Sequence, residues 1–396
     1  MRRLLIVVVL LAAPAWADPA PGTRLRVGIG DLPPPYATPS KANPADVVAR
    51  PPGVGLKVPP GWRAILFAEG LDHPRNLLVL ADGSVLVAEQ RFDKLTRLVD
   101  ADGDGVAERR HLFADGFSEP FGLAWRDGAV WVADTRAVWA LPWHPDQDRP
   151  TGRRQITPEG ALGDDRGHST RSLALGADGQ RFYVGIGSRR NVDEEAEPRA
   201  TIRVFDGVGH GGRTFAAGLR NPVGLSFRPG SDDLWTVVNE RDGLGDELVP
   251  DYLTQVVEDG FYGWPYAYLG NNPHPGLGHK AADKVAGTRP PDLLFRAHSA
   301  PLGLAFADGD AYVGLHGSWN RSEPIGYMVA RVPFKDGKPL GYYEAFATGF
   351  MTTAHAVWGR PVGIAAAPDG SLYVADDAGR TVWKILRYSP STSRME

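Results

Sequence analysis

Pro361-Val362-Gly363-Ile364-Ala365-Ala366-Ala367-Pro368-Asp369-Gly370-Ser371-Leu372-Tyr373-Val374 reads as a short apolar strand, an Asp-Gly turn and a return strand carrying an aromatic residue and valine. The same phrase opens upstream at Pro74, Pro120, Thr170, Pro222 and Pro301. Leu77, Leu123, Leu173, Leu225 and Leu304 stand where Ile364 does, and the returns are Leu86-Val87, Trp131-Val132, Tyr183-Val184, Trp235-Thr236 and Tyr312-Val313. The turns are Asp82-Gly83, Asp127-Gly128, Asp178-Gly179 and Asp308-Gly309, with Pro229-Gly230 in the fourth copy. Strands joined by Asp-Gly form hairpins, because the turn needs positive φ. Six hairpins at intervals of tens of residues indicate a repeat architecture. The fold expected is all-β, a six-bladed β-propeller.

A second phrase, Phe-Ala-x-Gly, opens at Phe67, Phe113, Phe215 and Phe346 and ends shortly before the next hairpin. It behaves as the outermost strand of the preceding blade. The first copy has no blade before it, and the last hairpin is followed by one strand only, Thr381 to Tyr388. Trp62 to Ala68 is therefore expected to pair with that strand and complete the last blade, leaving no open sheet edge across the ring.

The chain has 396 residues, 43% of them hydrophobic, enough for a large core. Length alone would allow two or three domains, but a closed ring of repeats is one unit. Its 48 Gly and 34 Pro suit a turn-rich β chain. A net charge of -4, with no basic run beyond Arg2-Arg3, argues against a nucleic-acid partner. The absence of Cys excludes disulfides, thiolate metal sites and Cys nucleophiles. Arg2-Arg3, the apolar run Leu4 to Ala13 and Ala15-Trp16-Ala17 make the three parts of a secretory signal peptide. Residues 1–17 are thus expected to be removed, leaving a periplasmic or secreted protein with no stable membrane span. Residues 18–58 are Pro-rich and expected to run extended, and 59–390 form the propeller. An insertion at about 250–297 carries Phe261-Tyr262-Gly263-Trp264-Pro265-Tyr266. Long insertions in a tight scaffold serve either function or packing, and the sequence leaves both open.

In a propeller, residues just before each first strand and just after its partner gather at one mouth of the central channel. Arg75, His168, Arg220-Asn221, His298 and Arg360 precede first strands. Gln90, Arg241-Asp242, His316 and Trp319-Asn320-Arg321 follow second strands, as do Asp134, Ser188-Arg189 and Asp376-Asp377. So many Arg on a mildly acidic chain imply a ligand with several carboxylates or phosphates, which guanidinium groups bind in pairs of hydrogen bonds. For any single Arg, pairing with the rim's own Asp and Glu is the simpler reading. His168 is the candidate base, since imidazole titrates near neutrality and accepts a hydroxyl proton. Asp100-Ala101-Asp102-Gly103-Asp104-Gly105 resembles half a calcium loop, but His111 stands where the closing Glu belongs. A solvated acidic turn or a structural Ca²⁺ site both fit it.

Gly218-Leu219-Arg220-Asn221-Pro222-Val223-Gly224-Leu225, Asn239-Glu240-Arg241-Asp242-Gly243 with Asp246-Glu247, and Tyr262-Gly263-Trp264-Pro265 resemble the soluble quinoprotein sugar dehydrogenases, in the branch of the sorbosone dehydrogenases. The resemblance covers Pro59 to Tyr388. It implies a six-bladed propeller holding pyrroloquinoline quinone (PQQ) and Ca²⁺ at the channel mouth. His168 would then be the general base, and Arg220 would stabilise charge developing on the quinone oxygen. Asn221, Arg360 and Trp319-Asn320-Arg321, with Gln90 and Arg241, would contact the cofactor. Backbone carbonyls of Asp242 and Gly243 would bind Ca²⁺. The chain departs from the glucose-type pattern in carrying Gly167 where an Asp precedes the catalytic His, and Trp358 where a basic residue precedes the last Arg. A calcium segment about one residue shorter allows the carbonyl assignment to slip by one.

These features imply a sugar or aldehyde substrate and a periplasmic electron acceptor. No Gly-x-Gly-x-x-Gly follows a strand and opens a helix, so a nicotinamide enzyme has no support. A Ca²⁺-dependent lactonase and a non-catalytic binding propeller remain the rivals.

Overall fold

The computed structural model describes residues 18–388. The expected signal peptide, residues 1–17, and the last two residues of the expected repeat region lie outside them. Among the described residues the regular structure is β-strand, apart from the helix Ala282–Ala286 and three 3-10 turns.

Six antiparallel sheets are built on four strands each. In the first sheet Pro74–Val79, Val85–Glu89, Lys94–Val99 and Arg109–Ala114 lie side by side in chain order. The other sheets begin with Gly122–Arg126, Arg171–Leu175, Pro222–Phe227, Pro301–Ala307 and Pro361–Ala366. Each of these first strands packs against the next, and the sixth touches both the fifth and the first. The sixth sheet takes its outer strand from the other end of the chain. Trp62–Ala68 runs antiparallel to Thr381–Arg387, with Ala64 opposite Ile385 and Leu66 opposite Trp383.

The sheets face one another, so the return strands are buried on both sides. Val85, Leu86, Val87 and Ala88 are all fully buried, and their run is apolar throughout instead of alternating. Aromatic rings fill the gaps between sheets. Trp131 meets Phe182 edge-on at 5.5 Å, and Trp235 meets Phe334 at 5.0 Å. Burying each such side chain contributes about 1.5–3 kcal/mol.

The third position of the repeated phrase marks where first strands come closest. A Cβ on Gly122 would lie 2.6 Å from the Arg171 carbonyl oxygen, and one on Gly363 would lie 2.6 Å from that of Arg75. Asn76 and Ser172 are the exceptions, and both use their polar atoms on the neighbouring strand. Asn76 Nδ2 donates to the Phe121 carbonyl at 2.9 Å, and Ser172 Oγ donates to that of Val223.

The Asp-Gly turns divide into two kinds. Among those of the repeated phrase, Asp127-Gly128 and Asp308-Gly309 alone have positive φ at both residues. In the longer turns Gly83, Gly179 and Gly370 alone do, and the Asp has another task. The Oδ1 atoms of Asp82, Asp178 and Asp369 accept the backbone N–H two residues on, at 3.1, 2.9 and 2.8 Å.

The N-terminal segment is pinned down along its length. Arg24–Leu25 pairs with Tyr343–Ala347 at the edge of the fifth sheet, and Asp46–Val47 pairs in parallel with Ala356–Val357. Between them the Tyr36 N–H reaches the Leu244 carbonyl at 2.8 Å, and the Asn43 N–H reaches that of Trp319 at 2.6 Å. The insertion begins and ends inside the fourth sheet, whose third and outer strands are Tyr252–Val256 and Leu293–Leu294.

Candidate functional site

The second position of the phrase builds the floor beneath the mouth. Phe121, Val223, Leu302 and Val362 form a buried apolar cluster, and Leu302 also lines a cavity of about 300 Å³ above it. In the other two copies this position is Arg75 and Arg171. Arg75 lines the cavity. Arg171 is fully buried, and its guanidinium holds the carbonyls of Leu162, Asp164 and His168, fixing the loop that leads to His168.

His168 stands just before the third sheet, partly buried against the turn after that sheet's second strand. Its Nδ1 lies 2.7 Å from the Ser188 carbonyl oxygen. A carbonyl only accepts, so the proton sits on Nδ1 and Nε2 keeps its lone pair. Burial, reinforced by the nearby Arg220 charge, lowers the imidazole to about 4 from 6.5. At neutral pH His168 is therefore an uncharged base of fixed tautomer. The Ser188 carbonyl orients the ring without adding charge.

Arg220, buried, and Arg360, partly buried, approach the cavity as cations held by neutral oxygens. Arg220 donates to the Asn191 carbonyl at 3.2 Å, the Asn191 side-chain oxygen at 3.0 Å and the Asn239 carbonyl at 3.4 Å. Its carboxylate neighbour, Asp242, is 3.4 Å away. Arg360 donates to the carbonyls of His316 and Gly317 at 3.0 and 3.1 Å and lies 5.7 Å from the Tyr327 ring. Among the described residues no carboxylate is within ion-pairing distance of Arg360. Burial lowers the pKa of both arginines. An uncompensated buried cation is costly, and an anionic ligand would relieve that cost. Asn221 Oδ1 and Asn320 Oδ1 are also buried without a hydrogen-bond partner, and both residues line the cavity. The arginines fit the carboxylates and ring oxygens of a polycarboxylate cofactor, and the two free amide oxygens, which only accept, fit a ring N–H or a cation.

Asp242 lies beside them. Asn320 Nδ2 donates to its carboxylate, and His298 Nδ1 lies 3.3 Å from Asp242 Oδ1 while His298 Nε2 lies 2.9 Å from the Gly245 carbonyl. Burial opposes the His298 charge, yet bonds to two acceptors raise its pKa overall. Across the mouth, Asp377 gathers Arg75 at 2.7 Å, His316 at 2.9 Å and His73 at 3.6 Å.

Of the residues expected at the site, His168, Arg220, Asn221, Asp242, Trp319, Asn320 and Arg360 line one cavity. Gln90, Arg241, Gly243 and Arg321 do not. Arg241 is a correction: it is fully buried, pairs with Glu240 at 2.8 Å and donates to the carbonyls of Pro265 and Ala267, so its fork is engaged in anchoring the insertion. Arg321 is another, being held by Glu247 and the Asp246 carbonyl. Gln90 is buried in a short turn, with Nε2 unpartnered. Trp319, by contrast, is 49% exposed at the rim. Sequence reasoning missed Ser188 as the orienting group and Asn191 entirely, because both act through a carbonyl or from a loop without a motif.

Away from the mouth, Asp100, Asp102, Asp104 and Glu108 bring one carboxylate oxygen each within 4.8 Å of one another. Glu108 thus joins the acidic turn, a role the sequence reading sought at His111.

The family model described as TrAA12-like matches residues 56–258 and 278–388. An uncharacterized protein of Borreliella burgdorferi is 26% identical over 355 residues, covering 83% of this chain and 90% of that protein. A pyrroloquinoline quinone-dependent pyranose dehydrogenase of Coprinopsis cinerea is 25% identical over 408 residues, covering 85% of this chain. The alignment spans 55% of that relative's length. The holo structure of its PQQ domain matches with a TM-score of 0.72 at 23% identity, over 87% of this chain and 100% of that one. A calcium structure of a Trichoderma reesei enzyme of family AA12 matches with a TM-score of 0.72 at 21% identity, over 87% of this chain and 99% of that one.

Proposed function

The chain belongs to the TrAA12-like family, and from that premise we propose that it is a PQQ- and Ca²⁺-dependent dehydrogenase that oxidises a sugar or related alcohol or aldehyde. Its frame in this reading is a six-bladed propeller closed by Trp62–Ala68. The observation that carries the proposal is the meeting, in one cavity, of an uncharged His168 with the buried Arg220 and the partly buried Arg360, which has no carboxylate partner among the described residues.

PQQ, when bound, would supply the two-electron oxidant for the substrate carbon, and Ca²⁺ would supply a Lewis acid beside it. His168 Nε2 removes the substrate hydroxyl proton while the Ser188 carbonyl keeps the ring in the required tautomer. Arg220 holds positive charge where negative charge develops, and its burial strengthens that interaction. Arg360 would hold the cofactor's carboxylates, and the free amide oxygens of Asn221 and Asn320 would accept from its ring N–H or face the cation. The backbone at Asp242 and Gly243 would hold the cation, within a segment braced by His298. Trp319 offers an exposed ring at the rim. The expected leader suits a periplasmic or secreted enzyme that passes electrons to an acceptor there.

Purified apoprotein given PQQ and Ca²⁺ should reduce a redox dye with aldoses or aldehydes and not without PQQ. Lactone hydrolysis independent of PQQ would replace this reading with a propeller hydrolase, and silence in both assays would leave a binding propeller.

A further inference from the structure

Trp264 is the central residue of the Tyr262-Gly263-Trp264-Pro265 motif, yet it does not line the cavity. Its indole N–H instead donates to the Asn191 carbonyl at 2.9 Å. That same oxygen accepts Arg220 Nε at 3.2 Å. The Asn191 side chain faces Arg220 as well, together with the Asp242 backbone. Its Oδ1 accepts Arg220 Nη2 at 3.0 Å and the Asp242 N–H at 2.9 Å, while its Nδ2 donates to the Asp242 carbonyl at 2.8 Å. The amide orientation is fixed by this pattern, since an N–H can meet only the oxygen and a carbonyl only the nitrogen.

We propose that Asn191 is a positioning residue that couples the Arg220 guanidinium to the Asp242 backbone, so that the cation-binding segment and the quinone-binding arginine are held in one geometry. The proposal rests on the PQQ and Ca²⁺ reading above. Asn191 lies on an exposed loop between two strands of the third sheet, and the residue itself is exposed. It therefore brings four elements together without serving the core: the loop, Arg220 before the fourth sheet, Asp242 after that sheet's second strand, and Trp264 in the insertion. Trp264 supports the backbone half of this arrangement, which survives substitution of the side chain. The side-chain half is unique to an amide, because it needs an acceptor and a donor on one planar group. A cation that orders the Asp242 backbone would, through Asn191, order Arg220 for the quinone, and by linkage the effect must be reciprocal.

The test is PQQ affinity of the purified full-length protein, measured by equilibrium dialysis with and without Ca²⁺. In the native chain Ca²⁺ should tighten PQQ binding by about tenfold, within the ordinary range of coupling between sites. In Asn191→Ala that ratio should fall severalfold, leaving what direct contact between the ion and the cofactor supplies, with circular dichroism and thermal unfolding unchanged. Asn191→Asp keeps the acceptor for Arg220 and the Asp242 N–H but sets a charged oxygen against the Asp242 carbonyl in place of the donor, so it should lower the ratio by less than Asn191→Ala. It also decides the matter if the alanine variant fails to fold. A folded Asn191→Ala with the native ratio overturns the proposal, as does a native protein that binds PQQ indifferently to Ca²⁺. A native protein that binds no PQQ overturns the functional reading instead.

Discussion

Two walls of the cavity hold a cation in opposite ways, at Arg220 and at Arg75, while Arg360 before the sixth sheet bonds only carbonyls. On the side of the third and fourth sheets, Arg220 is held by carbonyl and amide oxygens, with one carboxylate at 3.4 Å. On the side of the sixth and first sheets, Arg75 lies 2.7 Å from Asp377, which is also bonded by His316. Burial works against the Asp377 charge, but His316 and Arg75 hold its carboxyl far below the usual range. Burial lowers both His316 and His73 to about 4, so the pair Arg75–Asp377 is close to neutral as a unit at physiological pH. The difference separates chemistry from structure. A cation among neutral oxygens still has charge to offer a ligand, whereas a cation beside its own carboxylate has little.

The largest expected effect comes from the chemical side. His168→Gln removes the base while leaving a side chain that can still meet the Ser188 carbonyl. Turnover should fall by about 10³-fold, within the range for a positioned general base, with PQQ affinity preserved. Steady-state kinetics beside dialysis will show whether kcat alone changes. Near-native turnover would take His168 out of the mechanism.

The opposite side should answer with stability. Asp377→Asn leaves Arg75 buried without its counter-charge, which costs roughly 3 kcal/mol when a buried pair is broken. Urea unfolding at neutral pH will measure it. A carboxyl with a depressed pKa stabilises the fold at every pH above its unfolded value, near 3.9, and loses that contribution as pH falls towards the folded pKa. The gap between native and variant should therefore be full at neutral pH and shrink below about pH 4. A gap that does not change with pH would mean that Asp377 acts through shape alone.

This contrast also shows what a sequence can disclose. Hairpins were legible because each strand pair and its turn are local, and the repeat multiplied the signal six times. The gathering of His168, Arg220 and Arg360 followed from topology once the repeat was read. What could not be read was where each guanidinium points. Arg220 and Arg241 both flank the fourth sheet, yet one faces the cavity and the other is buried in the insertion, because Pro265 and Ala267 present carbonyls to it. No spacing rule encodes that choice. Asn191 was invisible for a related reason, since its partners lie 29 and 51 residues away and it acts from a loop. Glu108 was missed because the expected closing position came from a helix-flanked loop, whereas here the acidic turn joins two strands.

The smallest effect is the most discriminating for the comparison. After burial, the charge of Arg220 is the leading cause of the depressed His168 pKa. Only neutral imidazole can accept the substrate proton, so kcat/KM should fall as pH drops through a limb well below 6.5, near the value of about 4. Arg220→Ala removes that charge and should move the limb upward by about one unit, since a nearby like charge disfavours the protonated form. Its absolute rate will also be lower, but the position of the limb does not depend on the rate. Arg75→Ala, beside its own carboxylate, should leave the limb where it is even if the fold is weakened. Equal shifts from the two substitutions would show that the cavity feels its summed charge instead of the charge of one side, and the contrast between the two walls would then have no catalytic meaning.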